Sequence, residues 1–457
     1  MFFRFAIILF IGLSYVGSAI AEQNTSYVYP PWKHTWGVRR ATPFKLRMFV
    51  GNKTTFDDPQ GLACVRLDAW EDSSTTSDDD EITVYGVNSG DNCIIYNSSM
   101  YSISIYGKEE DHTKFNRPWG IAANNSGVVY VVDRGNARLV KLFNNGKQLK
   151  FVDETGGPGD VPGKFIDPRG VAIDNFGYVY VTDAALGRVT VFDSTLKLTD
   201  IWEGFIDPDG ISVFGPEDKW SYYPYSSFAV VTDSLHQRIR KLSLEGELLA
   251  EVHEQDLNRG EINFNFVTID FHSQILATDK DNGCIHKFDR SLNYLTGFGR
   301  SGGGDYEFDE PRGIALHRHF GQLLVAERHG AQYLWIAVDA PYINGEVEYS
   351  DQWQDLLVDF RITEPATADI DILDEYGRFL ARIVEGRRFP AGDNHFAWGL
   401  KIPHNLDRPA GYPDLPAKYK TDEYLPSGKY KLRGRFKPVY SSRKHFEREV
   451  ESTFNIK

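Results

Sequence analysis

The stretch Phe115-Asn-Arg-Pro-Trp-Gly-Ile-Ala122 decides the fold, because it returns along most of the chain. It recurs as Phe165-Ile-Asp-Pro-Arg-Gly-Val-Ala172, Phe205-Ile-Asp-Pro-Asp-Gly-Ile-Ser212 and Phe308-Asp-Glu-Pro-Arg-Gly-Ile-Ala315. An earlier copy is Phe56-Asp-Asp-Pro-Gln-Gly-Leu-Ala63, and a degenerate one is Phe264-Asn-Phe-Val-Thr-Ile269. A motif recurring in register marks a repeat architecture, in which each unit buries its faces only by stacking on its neighbours.

Working outward, each copy is followed by a β-rich run that ends in an acidic or amide residue, then a turn, then a second alternating run. The second unit reads Val128 to Asp133 and then Arg138 to Phe143. The others end their first run at Asn88, Asp183, Asp233, Asp279 and Glu327, which gives six units. Strand, turn and strand with period-2 alternation describes a small antiparallel sheet. Radial stacking of such sheets about a channel hides their faces and leaves short outer edges. The expected fold is all-β, a six-bladed propeller over residues 43–339.

In detail the units resemble NHL-repeat propellers, whose repeats run Phe-x-x-Pro-x-Gly-Ile-Ala, then Val-Tyr-Val-x-Asp, then Asn-x-Arg-hydrophobic. The likeness covers about Phe44 to Val338, including the Gly-rich linkers Thr155 to Gly163 and Gly297 to Gly304. The fifth unit departs by losing Pro-x-Gly, and the first, fifth and sixth lack the arginine five residues after the acid or amide.

After Val338 the repeat stops and short alternating strands resume, with Asp374-Glu-Tyr-Gly377 as a hairpin turn. With Ala391 to Trp398 and Leu425 to Leu432, the stretch from about Asp359 to Phe436 resembles the Ig-like domain of flagellar hook-capping proteins and of bacterial surface-protein C-termini, so an Ig-like β-sandwich is expected over residues 346–457. Its last stretch leans basic through Arg433, Arg435, Lys437, Arg443, Lys444 and Arg448, diluted by Glu447, Glu449 and Glu451. That gives a further reading in which this domain associates with a cell surface.

At the N-terminus, residues 1–21 combine basic Arg4, an apolar run from Phe5 to Val16 and an Ala19-Ile-Ala21 site. This is the pattern of a signal peptide, with a mature start near Glu22, so a secreted, periplasmic or cell-surface location is expected. No later stretch has the roughly 20 apolar residues that span a bilayer. Residues 22–42 read as an N-terminal arm. The sixth unit is one strand short of a full sheet, and Phe44 to Val50 is expected to close the ring as its outer strand.

Charge narrows the partners. A formal net charge of −14 argues against nucleic acid, whose binding is driven by clustered Lys and Arg. Three cysteines, Cys64, Cys93 and Cys284, are too few for a disulfide scaffold and are expected to be free. Sequons stand at Asn24, Asn52, Asn97 and Asn124, and the acidic run Asp78 to Glu81 reads as a solvated loop.

Catalytic signals are weak. Nucleophile-elbow, zincin and phosphate-loop motifs are missing from the sequence. The repeated acids Asp133, Asp183, Asp233, Asp279 and Glu327 read as acceptors for turn amides, paired with Arg138, Arg188 and Arg238 where an arginine follows. His236, His286, His317, His319 and His329 are metal candidates only because NHL propellers resemble the zinc- and calcium-dependent peptidyl-hydroxyglycine amidating lyase. No catalytic or metal residue is assigned and no cofactor is expected, with calcium or zinc in the channel as the alternative.

The aromatic insertion Trp220, Tyr222, Tyr223 and Tyr225, and the arm residues Tyr29 to Trp32, are the candidate ligand-stacking surfaces. The leading expectation is a non-enzymatic binding or scaffold protein for a protein or glycan. The alternative is a hydrolase or lyase with a channel metal.

Overall fold

The computed structural model describes residues 24–31, 39–70, 82–99, 102–108, 114–218, 220–349, 354–403, 419–440 and 445–457. The expected signal peptide, Trp32 and the acidic run Asp78 to Glu81 lie outside them. Among the described residues no helix is long and apolar enough to cross a membrane.

The chain is all-β. The first sheet holds Pro59–Val65, Thr83–Asn88, Cys93–Ser99 and Ser102–Tyr106, paired in that order. The second holds Ile121–Ala123, Val128–Asp133, Arg138–Asn144 and Leu149–Gly156. The third to fifth repeat the pattern, starting from Pro168–Ile173, Pro208–Phe214 and Phe264–Ile269. The sixth holds Ile314–His317, Gln322–Glu327 and Gly330–Ile336.

The Pro-x-Gly glycines show why the motif repeats. A Cβ on Gly61 would lie 2.7 Å from the carbonyl oxygen of Trp119 in the next sheet, and one on Gly120 would lie 2.3 Å from that of Arg169. Gly170 meets Asp209 O at 2.3 Å and Gly210 meets Asn265 O at 2.5 Å. Gly313 of the sixth sheet meets Gln60 O of the first at 2.2 Å, so the sheets form a closed ring, a β-propeller. These glycines are needed for close backbone approach between innermost strands. The fifth sheet carries Phe266 at the corresponding position, and it packs into the core shared with the sixth.

The closing strand is a correction. Residues Pro43–Val50 form a helix, because Thr42 caps it by accepting from Lys45 N, Pro43 opens it and Gly51 ends it at φ 63°. The sixth sheet is completed instead by Tyr27–Val28, paired with Ile336 and Trp335, and by Arg40–Ala41, paired with Gln332 and Ala331. The arm is therefore part of the ring. Tyr27 is fully buried, and Tyr29 stacks on Tyr306 at 4.5 Å and donates to Gln332 at 2.8 Å, which makes Tyr29 a packing residue.

The residue ending each second strand has one recurring job. Asn88, Asp133, Asp183, Asp233, Asp279 and Glu327 accept the backbone N–H of Asp57, Asn116, Ile166, Asp207, Asn263 and Asp309 respectively. Arg138 and Arg238 pair with Asp133 and Asp233 as expected, each at 2.8 Å. Arg188 does not pair with Asp183. Its guanidinium donates to the carbonyls of Asp160, Val161 and Lys164, because the Gly-rich linker folds back within its reach.

Beyond residue 340, a sheet of Tyr342–Tyr349, Gln354–Ile362 and Gly392–Trp398 shares a core with a second sheet. The second contains Ala366–Asp374, Phe379–Phe389, Gly428–Pro438 and Arg448–Ile456. In the basic-leaning last stretch Arg433 pairs with Glu451, Arg435 with Asp371, Lys437 with Glu447 and Arg448 with Asp339, while Arg443 and Lys444 lie outside the described residues. Cys64, Cys93 and Cys284 are free thiols.

Candidate functional site

The centre of the ring is crossed by side chains at both ends of the innermost strands. At one end Trp119 of the second sheet donates its indole N–H to Asp209 of the fourth at 3.2 Å. At the other, Arg318 donates to Ile269 O, to Val213 O and, at 2.7 Å, to Asp218 in the insertion. His317 lies at this end and stacks on Phe320, its pKa pushed down to about 4 by burial, His319 and Arg66. At this end Arg66 bears on His317, and Arg318 is paired with Asp218.

Of the candidate histidines, His286, His317 and His329 do not converge, and the side chain of His236 lies outside the described residues. His286 binds Asp279 at 3.2 Å, His319 stacks on Trp220 at 4.0 Å, and His329 sits beside Asp309 in an exposed turn. Cys284, two residues from His286, has its thiol pushed up to about 12 by burial, the opposite of what a nucleophile needs.

A different cluster is buried where the fifth sheet meets the C-terminal sheets. Asp270 and His272 lie in the turn after Phe264–Ile269, and Glu364 lies between the last two sheets. Their ligand atoms come within 4.8 Å of one another, as a metal would require. The surroundings do not fit one. The Lys287 ammonium is bound to Glu364, and Arg388 donates to His272 Nε2 at 3.0 Å. Two cations already serve these donors. Burial and the nearby Glu364 carboxylate push Asp270 up to about 6. Sequence reasoning missed the cluster, since Lys287 and Glu364 are 77 residues apart and belong to no motif.

The aromatic insertion reaches this seam. Tyr222 is fixed by its N–H donating to Phe271 O at 2.8 Å, its ring lies near His272, and the Arg388 guanidinium lies 4.3 Å from the ring centre. Arg290 lies likewise 4.5 Å from the Tyr223 ring. Tyr222, Tyr223, His272, Arg290, Arg388 and Pro390 line a cleft of about 400 Å³. Trp220 is turned away onto His319, and Tyr225, 91% exposed, is outside the lining. Two of the four aromatic candidates are thus brought together with two arginines that sequence did not single out.

The NHL repeat family model matches residues 115–142, the second unit. No curated protein matches the chain by sequence. Among solved structures, virginiamycin B lyase from Staphylococcus aureus is similar at 13% identity and a TM-score of 0.41, over 57% of this chain and 78% of that one. Regucalcin, a calcium-binding protein from Agrobacterium tumefaciens, is similar at 12% identity and 0.42, over 62% and 90%. A luciferin-regenerating enzyme is similar at 12% and 0.42, over 63% and 93%. No residue role is carried over from them.

Proposed function

We propose that this chain is an exported, non-enzymatic binding protein, and that the cleft between its aromatic insertion and its C-terminal sheets holds a protein or glycan ligand. On this reading the six sheets are the blades of an NHL-type propeller over residues 43–339, with the arm at residues 27–28 and 40–41 added to the last. Residues 346–457 form an Ig-like sandwich that walls the cleft and acts as a spacer or surface-docking module. The observation that carries it is the convergence of Tyr222, Tyr223, Arg290 and Arg388 on one concave surface. Small-ligand sites are concave, largely apolar and fitted with a few fixed polar groups.

The test is a screen of glycans and peptides against the secreted chain and its Tyr223→Ala variant. A ligand that binds the parent and is weakened at least about tenfold in the variant supports the reading. Ligands indifferent to Tyr223→Ala overturn it. Export is tested separately, by N-terminal sequencing of secreted protein, where a start near Glu22 is expected.

A further inference from the structure

We infer that the cleft is built for a saccharide carrying a carboxylate, an inference that rests on the cleft being the binding surface. The formal charge of the chain is −14, so cations without an acid beside them need an account. Among the described residues neither the Arg290 nor the Arg388 guanidinium meets a carboxylate. Asp289, in the same lining, meets neutral donors and neither guanidinium: Oδ1 accepts from the N–H of Ser291 and Asn293, and Oδ2 accepts from the Asn293 amide.

Hydrogen-bond chemistry leaves the Arg388 guanidinium with no carboxylate in direct contact. A guanidinium only donates, so the His272 Nε2 that it meets at 3.0 Å is the accepting nitrogen. With Nε2 accepting, Nδ1 is placed to donate to Glu364 Oε1 at 3.1 Å. The Glu364 charge is taken by Lys287. Both arginines are held against tyrosine rings, which fixes their planes before a ligand arrives.

Planar guanidinium forks match carboxylates through paired N–H donors. The other lining residues, Pro365, Phe389, Pro390 and Ala391 with the two tyrosines, offer rigid apolar edges suited to the C–H faces of a pyranose ring. A cleft of about 400 Å³ suits one or two sugar rings better than an extended peptide.

Calorimetry on the full secreted chain tests this with trigalacturonate, neutral maltotriose and triglutamate. Trigalacturonate is expected to bind, to weaken as salt rises, and to lose about tenfold or more in each of Arg290→Ala and Arg388→Ala. Equal binding of maltotriose overturns the anionic assignment, and equal or tighter binding of triglutamate overturns the saccharide. If only Arg388→Ala weakens binding, and melts lower, the effect is damage to the seam and the assignment fails. If none of the three binds while another ligand still depends on Tyr223, the class is wrong but the cleft stands. If no ligand depends on Tyr223, both fail.

Discussion

The second and sixth sheets fill one slot with different material. In the second, Asp133 accepts from Asn116 N at 2.7 Å and from Arg138, five residues on in the same hairpin, at 2.8 Å. In the sixth, the residue five after Glu327 is Gln332, which donates at 2.8 Å, and the guanidinium comes from Arg40, 287 residues earlier. The repeat preserves a satisfied buried acceptor, an acid or the amide of Asn88, rather than an arginine at a fixed spacing. At the ring's joint the cation sits on the arm, so the slot is balanced only when the two ends meet.

Removing the arm should have the largest effect. A chain starting at Lys45 loses the pairing partners of Gln332, Trp335 and Ile336, the buried Tyr27 ring and the cap of the helix. A loss of roughly 5 kcal/mol or more is expected, read as a lower thermal midpoint. A start at Arg40 keeps the Glu327 partner but not Tyr27, and should fall between. If it melts with the full chain, Tyr27–Val28 does not close the ring.

Next comes the joint itself. Gly313→Ala drives a methyl onto the Gln60 carbonyl and the Leu62 nitrogen, both backbone atoms, and should cost about 3 kcal/mol. Gly120→Ala meets Arg169 O in the same way at an internal joint and should match it. Gly303→Ala, with nothing within 4 Å, is the control. A tolerated Gly313→Ala beside a damaging Gly120→Ala would mean that the first and sixth sheets are not closed as described.

A smaller effect separates the two slots. Arg40→Ala and Arg138→Ala should each cost about 1 to 2 kcal/mol, since each strips a charged bond from a buried acid. The distinction is kinetic. Arg40 joins segments far apart in sequence, whose contacts form after local hairpins, so Arg40→Ala should speed unfolding. Arg138→Ala should act more on refolding. Stopped-flow rates that change alike would remove the contrast.

The repeat made the ring legible because each Phe-x-x-Pro-x-Gly marks an innermost strand and each terminal acid marks the end of the next. The closure was misread because Phe44 to Val50 precedes the first Phe-x-x-Pro-x-Gly copy just as Asn293 to Gly299 precedes the sixth. Thr42, Pro43 and Gly51 carried the better signal, a cap, an opener and a stop. Tyr222 and Tyr223 were legible as an aromatic insertion, but Arg290 and Arg388 were not. Their meeting depends on how the C-terminal sheets seat against the fifth sheet, which no local pattern encodes.

The smallest effect concerns the fifth sheet, where the same slot is served by a histidine. Asp279 binds His286 Nε2 at 3.2 Å and the Asn282 amide at 2.7 Å. Burial pushes its carboxyl up, but the bonds from His286 and Asn282 outweigh burial and hold it below the ordinary value of 3.8. A carboxyl depressed on folding stabilises the chain above its unfolded pKa, and that stability is lost as pH falls through the folded value. The window therefore opens near pH 4 and extends downward. Asp279→Asn keeps an acceptor but cannot titrate, as Asn88 does in the first sheet, where its oxygen accepts from Asp57 N at 2.8 Å. The variant should be less stable than the parent at pH 7 by about 1 kcal/mol, and the gap should narrow below pH 4 as the parent loses what the variant never had. Urea midpoints from pH 6 to pH 2.5 measure the gap. Parallel curves would mean that Asp279 does not titrate in this window and that its slot, like that of Asn88, works as a neutral acceptor.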